Sequence, residues 1–214
     1  MSPSHLLLAA FLPAAHADVI LPPREPPALA HRVQQAAGDP YAEAFLAFTF
    51  VVTTDGQEQV RRTHRWCPKA GIVEVETAEG KTRISAVDGS PLEGASLEAA
   101  DKAWGRFVND SYWLLAPSKV LDPGVRAEAV GPDRLDLRFD GVGLTPGDRY
   151  SLTVDAEGHV SAWSFVLQSG RTGSFRWEEG RPLGGLYLSA LRVSQDGSTS
   201  IRFQDLQVGP ACPL

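Results

Sequence analysis

The sequence predicts an α+β protein: a curved antiparallel sheet of about ten or eleven strands, forming an open or half β-barrel, with a helical lid or plug on its concave face. Three observations carry this. Short segments of alternating polarity recur along most of the chain, separated by turn pairs such as Asp55-Gly56, Glu79-Gly80, Asp88-Gly89 and Glu157-Gly158. Only one long stretch, running from Leu97 into Leu115, repeats its apolar residues at helical spacing, and it interrupts the run of strands once. A large antiparallel sheet twists and curls, so that helix and a short second one suffice to cover one face.

Taken in order, the first seventeen residues read as a cleavable signal peptide. Leu6 to Leu12 form an apolar run, Pro13 breaks it, and Ala15-His16-Ala17 supplies a small-residue cleavage pattern before Asp18. The run is too short to span a bilayer, which takes roughly 20 apolar residues. No Cys lies at or just after the cleavage site, so no lipid anchor is expected there. Residues 18–27 form a Pro-rich extended leader, and residues 28–214 a single β-rich domain.

Within that domain a short helix is expected from Ala28 to about Ala37, stopped by Gly38 and Pro40. Phe45 to Val52 is apolar on both faces, which suits a strand covered on both sides, and Gln59 to Trp66 is its hairpin return. Two further strands fit Ile72–Thr77 and Thr82–Val87. Ser96 can then cap the long helix, whose stripe of Leu97, Ala100, Trp104 and Phe107 or Val108 continues into Tyr112-Trp113-Leu114-Leu115 before Pro117. Alternation returns at Leu135, Leu137 and Phe139, and again at Tyr150, Leu152 and Val154. Trp163, Phe165 and Leu167 share one face of the next strand. Phe175 and Trp177 mark another, Leu186–Val193 another, and Ser200–Val208 the last. Ile201 and Phe203 differ in parity from Leu206 and Val208, so a β-bulge is expected near Gln204-Asp205.

Composition removes several functions. The net charge is −6 and no segment concentrates Lys and Arg, which disfavours a nucleic-acid partner. The histidines of the domain, His31, His64 and His159, stand on three separate elements, and no nucleophile elbow, P-loop, metal-spaced cluster or dinucleotide fingerprint is present. Neither catalysis, a metal nor a cofactor is expected. The Gly141–Asp148 segment is rich in glycine, but a strand rather than a helix follows it, so it reads as a turn and not as a phosphate cradle. Cys67 and Cys212, the two cysteines of an exported chain, are expected to pair as a disulfide.

The most informative segment is the aromatic one, with two readings. As a plug, the helix fills the sheet with its own side chains. As a lid, its Trp104, Phe107, Tyr112, Trp113, Leu114 and Leu115 line an apolar, ligand-binding pocket between helix and sheet. A plug leaves no cavity and a lid leaves one.

The run Asn109-Asp110-Ser111-Tyr112-Trp113-Leu114-Leu115-Ala116-Pro117, with Asp122-Pro123-Gly124 behind it and the Gly143–Asp148 turn, resembles the periplasmic LolA/LolB-like lipoprotein-carrier superfamily, as does the order of leader, helix, strands, inserted helix and strands. The resemblance implies a half-barrel with a helical lid over acyl chains, no enzymology, and an arginine on an early strand that holds the lid. Arg61, Arg62 and Arg65 are the positions that could supply it. The implied function is a soluble periplasmic carrier or sensor, binding a lipid or acylated protein, with an inner- or outer-membrane protein as a possible partner. The alternatives are an envelope protein-interaction module with no ligand, and an unrecognised hydrolase.

Overall fold

The alternating segments build eleven strands of one open antiparallel sheet in the computed structural model, which describes residues 25–139 and 147–214. The expected signal peptide, most of the Pro-rich leader and the Gly143–Pro146 part of the turn lie outside the described residues.

The elements are α1 (Ala28–Ala37), β1 (Phe45–Thr54), β2 (Gln57–Cys67), β3 (Ile72–Thr77), β4 (Gly80–Ser85) and α2 (Leu97–Leu115). They continue with β5 (Val125–Ala129), β6 (Arg134–Phe139), β7 (Arg149–Val154), β8 (Val160–Val166), β9 (Thr172–Leu183), β10 (Leu186–Ser194) and β11 (Thr199–Gly209). The strand order is β4-β3-β2-β1-β11-β10-β9-β8-β7-β6-β5. Two meanders, β1–β4 and β5–β11, are therefore joined edge to edge where the first strand pairs with the last. α2 is the connection between them.

Local chemistry explains the joints. Asp55 and Gly56 both take positive φ, 50° and 77°, the conformation a two-residue hairpin needs to match strand twist. Ser96 caps α2 by accepting the Ala99 N–H at 3.2 Å. β11 carries the expected bulge: Ala47 faces Gln207 while Thr49 faces Gln204, and Asp205 takes φ 52°. The extra residue returns Leu206 and Val208 to the same core as Ile201 and Phe203.

The two faces of β1 bury different things. Leu46, Phe48 and Phe50 face the helices, whereas Phe45 and Ala47 pack with Cys67, Cys212 and Leu214 on the opposite side. The Cys67–Cys212 disulfide, closing a sequence separation of 145, holds the C-terminal tail over that outer patch. Farther along the outer face, cross-strand charges alternate: Arg65 of β2 meets Glu74 and Glu76 of β3 at 3.0 and 2.7 Å, and Arg83 of β4 meets Glu74 at 2.9 Å.

On the inner face α2 packs Ala100, Ala103, Phe107, Leu114 and Leu115 into a core with β1, β3, β10 and β11. α1 inserts Leu29, Ala30 and Val33 into a second core built on β6 to β9. β5, which sequence alternation did not mark, is a short edge strand whose side chains are mostly alanine and charge, too weak a pattern to stand out. β4 begins at Gly80, two residues before the expected start, because the Glu79-Gly80 turn is tight and pairing resumes at once.

Candidate functional site

Between the two cores lies a partly open cavity of about 420 Å³. One wall is the face of α2 that carries Val108, Asn109, Tyr112 and Trp113, and the others are the inner faces of β1, β2, β6, β7, β8, β9 and β11. Eight of the lining side chains are aromatic, so the wall is rigid and apolar. Trp113 sits at its centre, with its ring 4.6 Å from Trp163 and 5.0 Å from Phe175. Tyr112 lies against Tyr150 and Phe139 at 5.6 and 5.7 Å. Burial pushes the phenols of Tyr112 and Tyr150 up, and the Asp148 carboxylate adds to this, so both remain neutral.

Of the six residues expected to line a pocket, the structure places Tyr112 and Trp113 on this cavity and the other four elsewhere. Phe107, Leu114 and Leu115 are buried in the core between α2 and the sheet, and Trp104 lies over Gly89 in the loop before α2. The reason is helical geometry. Residues 100, 103, 107, 110, 111 and 114 form the stripe that faces the sheet. Val108, Asn109, Tyr112 and Trp113 lie on the other side of the helix, away from that stripe, so the cavity is not under the packed face of the helix. The helix is thus a plug along one face and a cavity wall along another.

Asp110 occupies the plugging stripe with no exposed surface, and it is the charged centre of the site. Arg62 of β2 donates through Nε and Nη2 to its two oxygens at 2.7 Å each, His64 Nε2 donates at 2.7 Å, and Asn109 Nδ2 at 2.9 Å. Four donors saturate the carboxylate, which is what makes a buried charge tolerable. Strand parity selects Arg62 from the three candidate arginines. Arg61 and Arg65 point outward, to Glu58 and Gln204 and to Glu74 and Glu76, whereas Arg62 and His64 point inward to the helix. His64 is fully buried, and among the described residues its Nδ1 has no partner. His31 is exposed and His159 stacks on Tyr187 at 3.7 Å, so the three histidines do not converge.

A second buried cation fixes the end of the helix. Arg192 of β10 is fully buried and donates to the Ser189 carbonyl at 2.8 Å and to the Trp113 carbonyl at 2.9 Å. Its guanidinium lies 3.4 Å over the Trp177 ring. Burial without a carboxylate pushes its pKa well below the ordinary value. Neither contact was legible as a pair in the sequence. Each had a signal, however: Asp110 interrupts an apolar helical stripe, and Arg192 shares the parity of Leu186, Leu188 and Ala190.

Among the described residues no group of three or more His, Cys, Asp or Glu is placed to hold a metal ion, and no helix is long and apolar enough to cross a membrane. The site's chemistry is that of an apolar container with a latch of charge beside it.

The fold is similar to that of a LolA superfamily protein from Nitrosomonas europaea, at 10% sequence identity, covering 85% of this chain and 92% of that one, with a TM-score of 0.51. A DUF1329 family protein from Desulfovibrio piger is matched over 84% of this chain and 90% of its own, at 12% identity and a TM-score of 0.43. No protein-family model and no curated protein match the sequence. At such identities the likeness is one of fold: the chain has a LolA-like architecture, an open curved antiparallel sheet with two helices.

Proposed function

We propose that this protein is an exported carrier or sensor that holds the acyl chain of a lipid or acylated protein noncovalently in the cavity beside α2. The observation that carries the reading is the cavity itself, about 420 Å³ and walled by eight aromatic side chains. That volume falls within the range of roughly 300–1,000 Å³ typical of small-molecule sites. Each methylene removed from water contributes about 0.8 kcal/mol, so a tail of about fourteen gives on the order of 11 kcal/mol without any strong polar contact. Association costs of about 4 kcal/mol or more leave micromolar or weaker binding, suited to cargo that must be released.

The LolA-like fold supports the same use, since the resemblance implies a carrier and no catalysis. The disulfide supports an oxidising compartment, and with the signal peptide expected from residues 1–17 we place the protein in the periplasm, starting at Asp18. A membrane protein that donates or accepts the cargo is the partner this role needs.

One observation favours the second reading, an interaction module with no ligand: the half of the sheet under Ala100, Ala103 and Phe107 is filled by the helix itself. Native mass spectrometry of protein purified from the periplasm, with lipid extraction, separates the two. A bound acyl species at one per chain, lost in Trp113→Asp while circular dichroism is retained, supports the carrier. A chain that retains no acyl species and takes up none when it is offered overturns it and leaves the interaction module.

A further inference from the structure

The cavity wall is not uniformly apolar, and its charged groups differ in how far their own chain uses them. Among the described residues two arginines and one carboxylate line it. The carboxylate, Asp148, is buried, and its oxygens are taken up by the fold. Oδ1 accepts the Gln168 N–H at 2.9 Å and Oδ2 lies 3.4 Å from the Tyr150 hydroxyl. Arg62 is engaged by Asp110 through two of its nitrogens. Arg171, in the turn between β8 and β9, is the exception. Its side chain lines the cavity, is exposed to water, and makes no hydrogen bond or ion pair with any described residue. An apolar container therefore has an uncommitted cation at its rim, while the acid that could have attracted a positive ligand faces its own backbone.

Size restricts the tail. At about 30 Å³ for a group the size of water, 420 Å³ accommodates roughly fourteen such groups, the bulk of one hydrocarbon chain rather than of two or three. Resting on the acyl-binding reading above, we propose that the cavity takes a single-chain amphiphile with an anionic head, a long-chain carboxylate, whose tail enters between Trp113 and Trp163 and whose head group is bound by Arg171. The carboxylate accepts the guanidinium N–H groups in the bidentate geometry that arginine favours. Because Arg171 remains in contact with water, it selects among heads of different charge more than it adds affinity.

Three probes of equal chain length test this, each displacing a bound fluorescent reporter: palmitate, cetyl alcohol and cetyltrimethylammonium. Palmitate is expected to bind about tenfold more tightly than cetyl alcohol, and cetyltrimethylammonium most weakly, as one charge-assisted contact at a wet site allows. Arg171→Gln is expected to weaken palmitate by roughly five- to tenfold while leaving cetyl alcohol within about twofold, and Arg171→Lys to recover part of the loss. The turn is exposed, so an unchanged melting curve confirms that the variants fold. Equal binding of palmitate and cetyl alcohol, preference for the cationic probe, or an Arg171→Gln loss shared by all three overturns the inference and leaves the container intact. If cetyl alcohol, which needs no charge, also fails to bind, the acyl-binding reading falls and this inference falls with it.

Discussion

Removing the Asp110 carboxylate is the perturbation for which the structure gives the clearest magnitude. Asp110→Ala deletes the acceptor of four hydrogen bonds and strands Arg62, whose side chain is 20% exposed, beside a fully buried His64. Breaking a buried ion pair by deleting one partner costs about 3–5 kcal/mol. Water can reach Arg62 and recover part of this, which puts the expected loss near the low end, about 3 kcal/mol. For a domain of this size that is a fall in melting temperature of about 6–12 °C. Urea titration followed by circular dichroism measures it directly, with Arg61→Ala as the comparison, because the Arg61–Glu58 pair is exposed and screened by water, so its loss changes stability little. The double variant Arg62→Ala/Asp110→Ala should lose less than the sum of the singles, since no unpaired charge remains. A loss at Asp110 no larger than that at Arg61, or strict additivity with Arg62, refutes the view that this pair fastens α2 to the sheet.

Other consequences are as direct. Cys212→Ser opens a loop with a sequence separation of 145, for which the chain-entropy estimate is about 5 kcal/mol. Its melting temperature should fall well below wild type without reductant and match reduced wild type, and equal melting of both proteins under oxidising conditions would contradict this. Burial alone would raise the Glu74 carboxyl, but Arg83, Lys81 and Arg65 outweigh it and hold it below its ordinary 4.5. The unfolded chain then binds more protons below that value, so the stability from Glu74 is present above 4.5 and is lost as pH falls through the folded value. Glu74→Gln should flatten the decline of stability in acid, and an unchanged slope would count against the cross-strand cluster. A Cβ at Gly173 would collide with the Phe165 ring, which lines the cavity. Gly173→Ala is expected to push that ring inward, lowering acyl affinity several-fold at a stability cost of about 1–3 kcal/mol. Unchanged binding and melting would show that the ring has room elsewhere.

How much of this was legible in the sequence depended on whether the signal was local. Asp55-Gly56, Ser96 and the parity change around Asp205 each act through their own backbone, and each appears where the residues place it. The two-sided apolarity of Phe45 to Val52 announced cover on both faces, though not that the C-terminal tail, 145 residues beyond Cys67, supplies half of it. The cavity was less legible because it depends on which face of α2 packs into the core and which is left to the cavity, a question of helix rotation set by distant partners. Trp104, Phe107, Leu114 and Leu115 are as apolar as Tyr112 and Trp113 and differ only in direction. The strand wall had a visible signal in the shared face of Trp163, Phe165 and Leu167, but nothing local says that β8 stands opposite α2. Arg192 and Asp110 were legible only as misfits, charged residues at positions whose neighbours are core.

The claim that the aromatic cavity receives an acyl chain is tested most directly by fluorescence quenching with brominated palmitate. The chain has five tryptophans, and only Trp113 and Trp163 line the cavity. Bromine on the tail should quench the emission with saturation at one equivalent, and the quenching should be lost in Trp113→Phe/Trp163→Phe although Trp66, Trp104 and Trp177 still emit. Absence of quenching, or quenching that persists unchanged in the double variant, would place the tail elsewhere or nowhere and contradict the claim.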